Sequence, residues 1–356
     1  MYKLVKDEIL KFYSKKKVFI TGHTGFKGSW LSYILDSYGA IIKGYSLLPA
    51  TNPNLFDNLQ FSNSYISVID DIRNKEKFEK EILDFNPDFI FHLAAQPIVL
   101  NSIENPTETF DTNFNGTLNL LEIIRTNNLS VPTILITSDK VYKNLEYGKP
   151  FKETDPIGGK DPYSASKAAC EILIGSYLET FFSNSIFKIA SVRAGNVIGG
   201  GDWGDHRLIP DIFRSKEQKT PVIIRNPDST RPWQHVLESV FAYLLLGNKL
   251  SSNPKSFKGA WNFGPIENGI SVNEVMNIIT GIDNSIEYNI IRKNKNNESR
   301  YLSLDISKAI SKLKWKPTLT INEAIMRTAL WYSNYYKNEN AGQLITEDLN
   351  IFLNHD

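Results

Sequence analysis

Tyr163 and Lys167 stand at i and i+4 in Asp161-Pro162-Tyr163-Ser164-Ala165-Ser166-Lys167, a spacing that puts phenol and ammonium on one face of a helix. An ammonium near a phenol, together with the positive charge of a bound cofactor, favours the phenolate, drawing a pKa of ~10 toward neutrality and making tyrosinate available as a base. Far upstream, residues 21–28 read Thr-Gly-His-Thr-Gly-Phe-Lys-Gly. Glycines so spaced let a pyrophosphate approach backbone N–H groups at the start of a helix. A phenolic base and a bound dinucleotide together imply oxidation of a carbinol carbon. Between them lies Thr137-Ser138-Asp139-Lys140, placing a hydroxyl, a carboxylate and an amine in succession. Alcohol oxidation needs only the hydroxyl beside tyrosine and lysine, so Asp139 and Lys140 point to a second acid/base step. The bland alternative is a turn in which Ser138 and Asp139 cap the next element.

These groups need elements to hold them. Residues 17–20 read as an apolar strand, 28–38 as a helix, 40–45 and 65–69 as strands, and 75–84 as a charged amphipathic helix. Strands at 88–93, 133–137 and 187–192 alternate with helices at 112–127 and 163–182. Near-continuously apolar strands alternating with helices predict a parallel sheet covered on both faces. The expected fold is α/β, a Rossmann-type doubly wound parallel sheet with a smaller, interleaved C-terminal substrate lobe. Residues 1–192, with returning segments at about 233–265, form the dinucleotide-binding part in this reading, and 193–232 with 266–356 form the lobe. Ligands of such sheets sit at the carboxyl ends of the strands, so the cleft between the two parts should hold the chemistry.

Bulk properties narrow the class. The 356-residue chain is 41% hydrophobic and 22% charged, with a formal net charge of +1. That balance gives no electrostatic argument for nucleic acid or an anionic membrane. No apolar run approaches the ~18 residues that a membrane span needs. The first residues lack the apolar core of a signal peptide and suit a short helix before the first strand. A single cysteine, Cys170, forms no intramolecular disulfide and suits a reducing cytoplasm, where it reads as a small buried apolar residue. No metal site is expected.

For the dinucleotide, Gly22, His23, Gly25 and Phe26 make the turn. Asp71 and Ile72, after the third strand, could edge an adenine, although Asp71 equally suits a cap. Ala94 and Ala95 are small enough for a nicotinamide ribose to pass, and Asn113 suits either helix packing or support of the site. The second strand ends at Ser46, with no acid for a ribose 2′-hydroxyl and only Lys43 as a nearby cation, so local residues do not choose between NAD and NADP. An anionic diphosphate needs cationic partners, for which Arg207 and Arg231 are candidates, each equally able to make a structural salt bridge. Asn196 could touch diphosphate or sugar.

The segments GHTGFKGSWL, GYSL, HLAAQP, TSDKVY, DPYSASK, RAGNVIGGGDW, RLIPD and RPWQHV, spread over residues 22–236, bring a family into view. The whole chain resembles the nucleotide-sugar enzymes of the extended short-chain dehydrogenase/reductases, and within them the CDP-glucose 4,6-dehydratase branch. Lys140 in Ser138-Asp139-Lys140, Gln96 in HLAAQP and the GGGDW loop carry that finer resemblance. His23, bulky where the wider superfamily has a small residue, and Ser46 are departures shared with the branch.

The resemblance implies NAD as cofactor and CDP-glucose as substrate, with Gln96, Asn196, Arg207 and Arg231 toward the substrate and Ser46 toward the cofactor. It also implies roles. Tyr163, supported by Lys167 and Ser138, takes the C4 hydroxyl proton. Lys140, neutral through burial and nearby cations, takes the C5 proton, and a protonated Asp139 donates to the departing C6 hydroxyl. A homodimer or higher homo-oligomer, a cytoplasmic location and deoxysugar synthesis for a surface polysaccharide such as lipopolysaccharide O-antigen are further implications. The alternative on the same scaffold is an epimerase or a dehydratase of another nucleotide sugar.

Overall fold

The computed structural model describes residues 2–145, 148–183, 186–291 and 302–355. Helix α1 (Tyr2–Tyr13) leads into β1 (Lys17–Thr21), α2 (Phe26–Ser37), β2 (Ile41–Ser46) and β3 (Ile66–Ile69). Then come α3 (Lys75–Phe85), β4 (Phe89–His92), the short α4 (Val99–Glu104) and α5 (Pro106–Phe110), and α6 (Gly116–Thr126). The first half of the chain closes with β5 (Thr133–Ile136), α7 (Pro162–Thr180) and β6 (Ile189–Ala194).

All strand pairings of the main sheet are parallel. β3, β2, β1, β4, β5 and β6 lie side by side, and the edge strand Gly259–Phe263 adds a seventh beside β6. Strand order reverses at β1, since the chain crosses from the edge strand β3 to lay β4 on the other side of β1, and that switch point opens a crevice above the carboxyl ends of β1 and β4. β1, β4, β5 and β6 are buried on both faces apart from Lys17, as helices on both sides require. One core gathers α1, α2, α8 (Leu208–Glu217) and α9 (Val236–Ser252) on one side of the sheet. The other packs α3, α6 and α7 against its opposite face.

The doubly wound sheet is thus as expected, with boundaries moved by a residue or two. The helix expected over 112–127 begins at Gly116, because residues 111–115 form a single π turn. Strand 259–263 joins the main sheet through five parallel pairs, Gly259 with Ala190 through to Phe263 with Ala194. α9 returns beneath β5 and β6. Short two-stranded pairings build the remainder: Thr230–Arg231 with Ile270–Ser271 and Val222–Ile224 with Tyr288–Ile290.

Candidate active site

The cleft is built from four strand ends. At the end of β1, Gly22 adopts φ +73°, and a Cβ there would lie 2.7 Å from the Ala94 nitrogen. A Cβ on Gly28 would stand 2.0 Å from the Gly22 carbonyl oxygen, so only glycine lets α2 start this close to the turn. No side chain caps that helix at Gly25, which leaves its first N–H groups open to an anion. These observations fit a dinucleotide pyrophosphate. Thr24 and Ser46 brace the turn from the end of β2, hydroxyl to hydroxyl at 2.9 Å.

The cofactor candidates divide. His23 is buried, its Nε2 2.7 Å from Ser67 Oγ. Its ring lies edge-on to Phe56 and fills the space a Cβ on Gly44 would need. Burial holds its pKa down at about 4, so the ring brings bulk without charge. Lys43, the nearest cation to the ribose end, is itself buried and committed to the half-buried Glu81 at 2.8 Å. Asp71 is engaged by Arg73 through Nη2 at 2.5 Å. Ile72 is buried under Gly116, so its side chain belongs to the core. Ala94 donates its N–H to Thr21 Oγ1, and Ala95 beside it is half-buried. Phe26, also half-buried, opens α2.

Asn113 lies on the π turn and works as a three-way clamp. It accepts from the Gln96 N–H at 2.8 Å and donates to the Gln96 carbonyl at 3.1 Å and Ser166 Oγ at 2.9 Å. It therefore ties the loop after β4 to the helix between Tyr163 and Lys167. Gln96, expected toward the substrate, instead folds on its own loop. Its amide donates to Ile98 O and Thr109 Oγ1, and its carbonyl accepts from the Ile98 N–H.

The catalytic candidates converge. Asp161 caps α7 through the Ser164 N–H, and the Tyr163 N–H is held by Ser102 Oγ at 3.1 Å, which fixes where the phenol emerges. Lys167 Nζ reaches back 3.2 Å to the Ile136 carbonyl at the end of β5. Ser138 caps the 3₁₀ turn Asp139–Val141, accepting the Lys140 N–H at 3.2 Å and donating to Asp139 Oδ1 at 3.1 Å. Lys140 Nζ stands 5.9 Å from the centre of the Tyr163 ring.

Electrostatics separates what the protein supplies from what a bound cofactor must add. Burial pushes the Tyr163 phenol up to about 12, while its hydrogen bond with Ser138 and the charge of Arg207 pull the other way. The protein alone therefore keeps the phenol protonated; the buried Lys167, itself lowered by that burial, does not dominate. Asp139 is raised by burial against the opposing charges of Lys140 and Arg231, as a proton donor requires. Lys140 is exposed, so the burial expected to neutralise it is not supplied by the protein without ligands. The carboxyl of Asp139 lies on Gly195: a Cβ there would come within 1.8 Å of Oδ2.

Arg207 pairs with Asp202 at 2.5 Å and Arg231 donates to the Thr230 carbonyl; both charges are nonetheless felt at the reaction centre, by Tyr163 and Asp139 respectively. Asn196 sits at φ +50° directly after Gly195, its carbonyl accepting the Gln234 N–H. Trp203 is buried in the core. Cys170 is buried, donating to the Asn113 carbonyl. The residue missed by sequence reasoning is Lys27. It stands on the first turn of α2, with Nζ 3.5 Å from the Tyr243 hydroxyl. Burial and the like charge of Arg207 lower it to about 8, against the attraction of Asp139 and Asp202. Its position inside the glycine turn was the available signal. No group of three or more candidate metal ligands occurs among the described residues.

Comparison with known proteins agrees with this geometry. A model of the family described as GDP-mannose 4,6 dehydratase matches residues 19–328. A CDP-glucose 4,6-dehydratase of Salmonella typhimurium is 43% identical over 335 residues, covering 92% of this chain and 93% of the relative. An epimerase structure from Methanothermobacter thermautotrophicus superposes with a TM-score of 0.83 at 23% identity, over 94% of this chain and 97% of that one. A dTDP-glucose 4,6-dehydratase of Bacillus anthracis, solved in complex with NAD, gives a TM-score of 0.74 at 22% identity, over 90% and 98% of the two chains. At these identities the two structures speak for the shared fold. By the family match and the 43% relative together, the chain belongs to the GDP-mannose 4,6 dehydratase family of nucleotide-sugar enzymes within the extended short-chain dehydrogenase/reductases.

Proposed function

We propose that this protein is a hydro-lyase that converts CDP-glucose to CDP-4-keto-6-deoxyglucose with NAD. The observation that carries the reading is the placement of Ser138-Asp139-Lys140 beside Tyr163, with Asp139 buried and favoured in its protonated form. The 43% identity to a CDP-glucose 4,6-dehydratase supports the nucleotide and the sugar.

The turn of Gly22, Gly25 and Gly28, with the open first turn of α2, would hold the pyrophosphate. NAD, when bound there, supplies the hydride acceptor and donor for C4 and C6, and a fixed positive charge. Tyr163 takes the C4 hydroxyl proton. Its phenol, high in the free protein, must ionise more easily in the loaded cleft, where Lys167 is the fixed cation on the same helix face. Ser138 hydrogen-bonds the oxygen as the carbonyl forms. The ketone acidifies C5–H, Lys140 removes that proton, and Asp139 gives its own proton to the departing C6 hydroxyl. Water leaves, and as hydride is restored at C6 Lys140 returns its proton to C5, so there is no net oxidation. Arg207, Arg231 and Asn196 are assigned to the nucleotide diphosphate and sugar.

A homodimer or higher homo-oligomer in the cytoplasm completes the reading. Leu100 and Ile103 on α4 and Ile172 on the adjoining α7 are 47%, 59% and 63% exposed, an apolar surface suited to a second copy. Among the described residues no helix is long and apolar enough to cross a membrane.

Incubation with CDP-glucose and NAD, followed by mass analysis, tests the activity. Loss of one water from the sugar, without net accumulation of reduced cofactor, is expected. An isomer of unchanged mass would instead make the protein an epimerase. Unaltered CDP-glucose alongside turnover of another nucleotide hexose would overturn the substrate.

A further inference from the structure

The residues of the turn at 137–142 carry three of the proposed catalytic groups; its middle is tied through the Val141 carbonyl, which accepts the Gly158 N–H at 2.8 Å, and its two ends reach deeper into the fold. Both ends are gripped by the same buried ion pair. Glu171 lies on α7 one helical turn past Lys167, and its carboxylate is 2.7 Å from Arg193 Nη2 on β6. Their side chains are 2% and 4% exposed. At the near end of the turn, Thr137 Oγ1 donates to Glu171 Oε1 at 2.5 Å, and Ser191 Oγ donates to Oε2 at 3.0 Å. At the far end, Arg193 Nη1 donates to the Tyr142 hydroxyl at 2.9 Å, and the guanidinium lies 5.0 Å from the Tyr142 ring centre. Tyr142 in turn donates to Asn262 Oδ1 at 2.7 Å, on the edge strand. Arg193 Nη1 also donates to the Glu153 carbonyl.

None of these groups faces the reacting atoms in the mechanism above. A buried ion pair adds little to stability over a well-packed apolar pair of the same shape, whereas its directional bonds fix geometry. The carboxylate has a partner for each oxygen, and the guanidinium spans from helix to turn.

The geometry points to the Glu171–Arg193 pair, acting through Thr137 and Tyr142, as a positioning device that sets the Asp139-Lys140 acid/base pair against Tyr163. The inference rests on the dehydratase reading for its kinetic consequence and on the structure alone for its mechanical one. Tyr163 and Lys167 are held separately, through Ser102 and Ile136. Loosening the clamp therefore slows elimination, which needs Asp139 and Lys140, more than it slows C4 oxidation, which needs Tyr163, Lys167 and Ser138.

Deleting either charge would strand the other in the core and risks misfolding. Tyr142→Phe is the gentler cut: it removes one hydroxyl and keeps the ring stacked on Phe151 at 4.9 Å. Two measurements test the inference. Amide hydrogen exchange of the ligand-free protein at residues 139–141 should quicken at least about tenfold in Tyr142→Phe, while exchange in α7 is unchanged. With CDP-glucose and NAD, kcat for water loss should fall at least about tenfold at unchanged KM, and reduced cofactor should build up in the steady state, since oxidation outruns elimination. Thr137→Val, which cuts the contact at the other end and keeps both charges, should shift both readouts the same way. Unchanged exchange at 139–141 overturns the clamp whatever the substrate. Faster exchange with equal slowing of both chemical steps overturns its role in positioning the acid/base pair. A wild-type protein that leaves CDP-glucose intact refutes the dehydratase reading, and exchange then decides the clamp by itself.

Discussion

Gly195→Ala isolates the acid of the elimination from everything else in the cleft. The added methyl carbon would lie 1.8 Å from Asp139 Oδ2, 2.1 Å from Cγ and 2.5 Å from Oδ1. An unstrained carbon–oxygen contact is ~3.3 Å, so the carboxyl must retreat by roughly 1.5 Å or rotate away. Gly195 lies outside the left-handed region, so the substitution adds volume with no backbone penalty of its own. A misplacement of about 1 Å at a reacting group costs about a hundredfold in rate, and at least that loss is expected in kcat for dehydration. C4 oxidation, carried by Tyr163 and Ser138, should fall far less. Rapid mixing with CDP-glucose and NAD, followed optically for reduced cofactor and by mass for water loss, separates the two steps. Normal oxidation with stalled elimination is the expected result. If dehydration survives within a few-fold while the thermal midpoint stays near wild type, Asp139 is not the acid and the reasoning fails. Asp139→Asn serves as the reference for full loss.

Three further outcomes follow from the same geometry. Gly28→Ala would push a Cβ to 2.0 Å from the Gly22 carbonyl and should weaken NAD binding by about tenfold or more in titration calorimetry; unchanged affinity would remove the glycine turn from the cofactor site. Because burial holds Tyr163 at about 12 in the free protein, kcat/KM should rise with pH, and a limb that moves to lower pH at saturating NAD would report the charge brought into the cleft. An unmoved limb, or one retained in Tyr163→Phe, contradicts the base assignment. Glu238, buried with Oε2 unpartnered, is raised by burial to about 7 from 4.5, despite the Leu319 and Thr318 N–H bonds. The folded state thus holds this proton more tightly, and its contribution is fully present below about pH 4.5 and lost as pH rises through about 7, a swing of about 3 kcal/mol. Urea unfolding should show wild type losing that stability between the two pH values and Glu238→Gln losing much less of it; parallel curves would refute the assignment.

Local spacing alone disclosed the outline. The i, i+4 placement of Tyr163 and Lys167 and the glycine turn after an apolar strand are properties of single elements, so they survive translation from sequence to structure. The alternation of apolar strands and amphipathic helices likewise dictated a covered parallel sheet, because neither element can bury its apolar face alone. What the sequence could not show is which polar groups share a space. Gln96 was expected toward the substrate, but Asn113 holds its backbone and its side-chain amide goes to Ile98 O and Thr109 Oγ1. Nothing near Arg193 in the sequence names its partner; β6 carries it beneath α7 to Glu171. Lys27 was read as part of a backbone turn, whereas its side chain runs among Tyr243, Arg207 and Asp139. The Tyr163 phenol shows the same division: proximity to a lysine was legible, but the depth of burial that outweighs it was not. Covalent neighbours and periodicity determine an element and its face; desolvation and cross-strand partners depend on residues tens to hundreds of positions away, and those only the tertiary structure brings together.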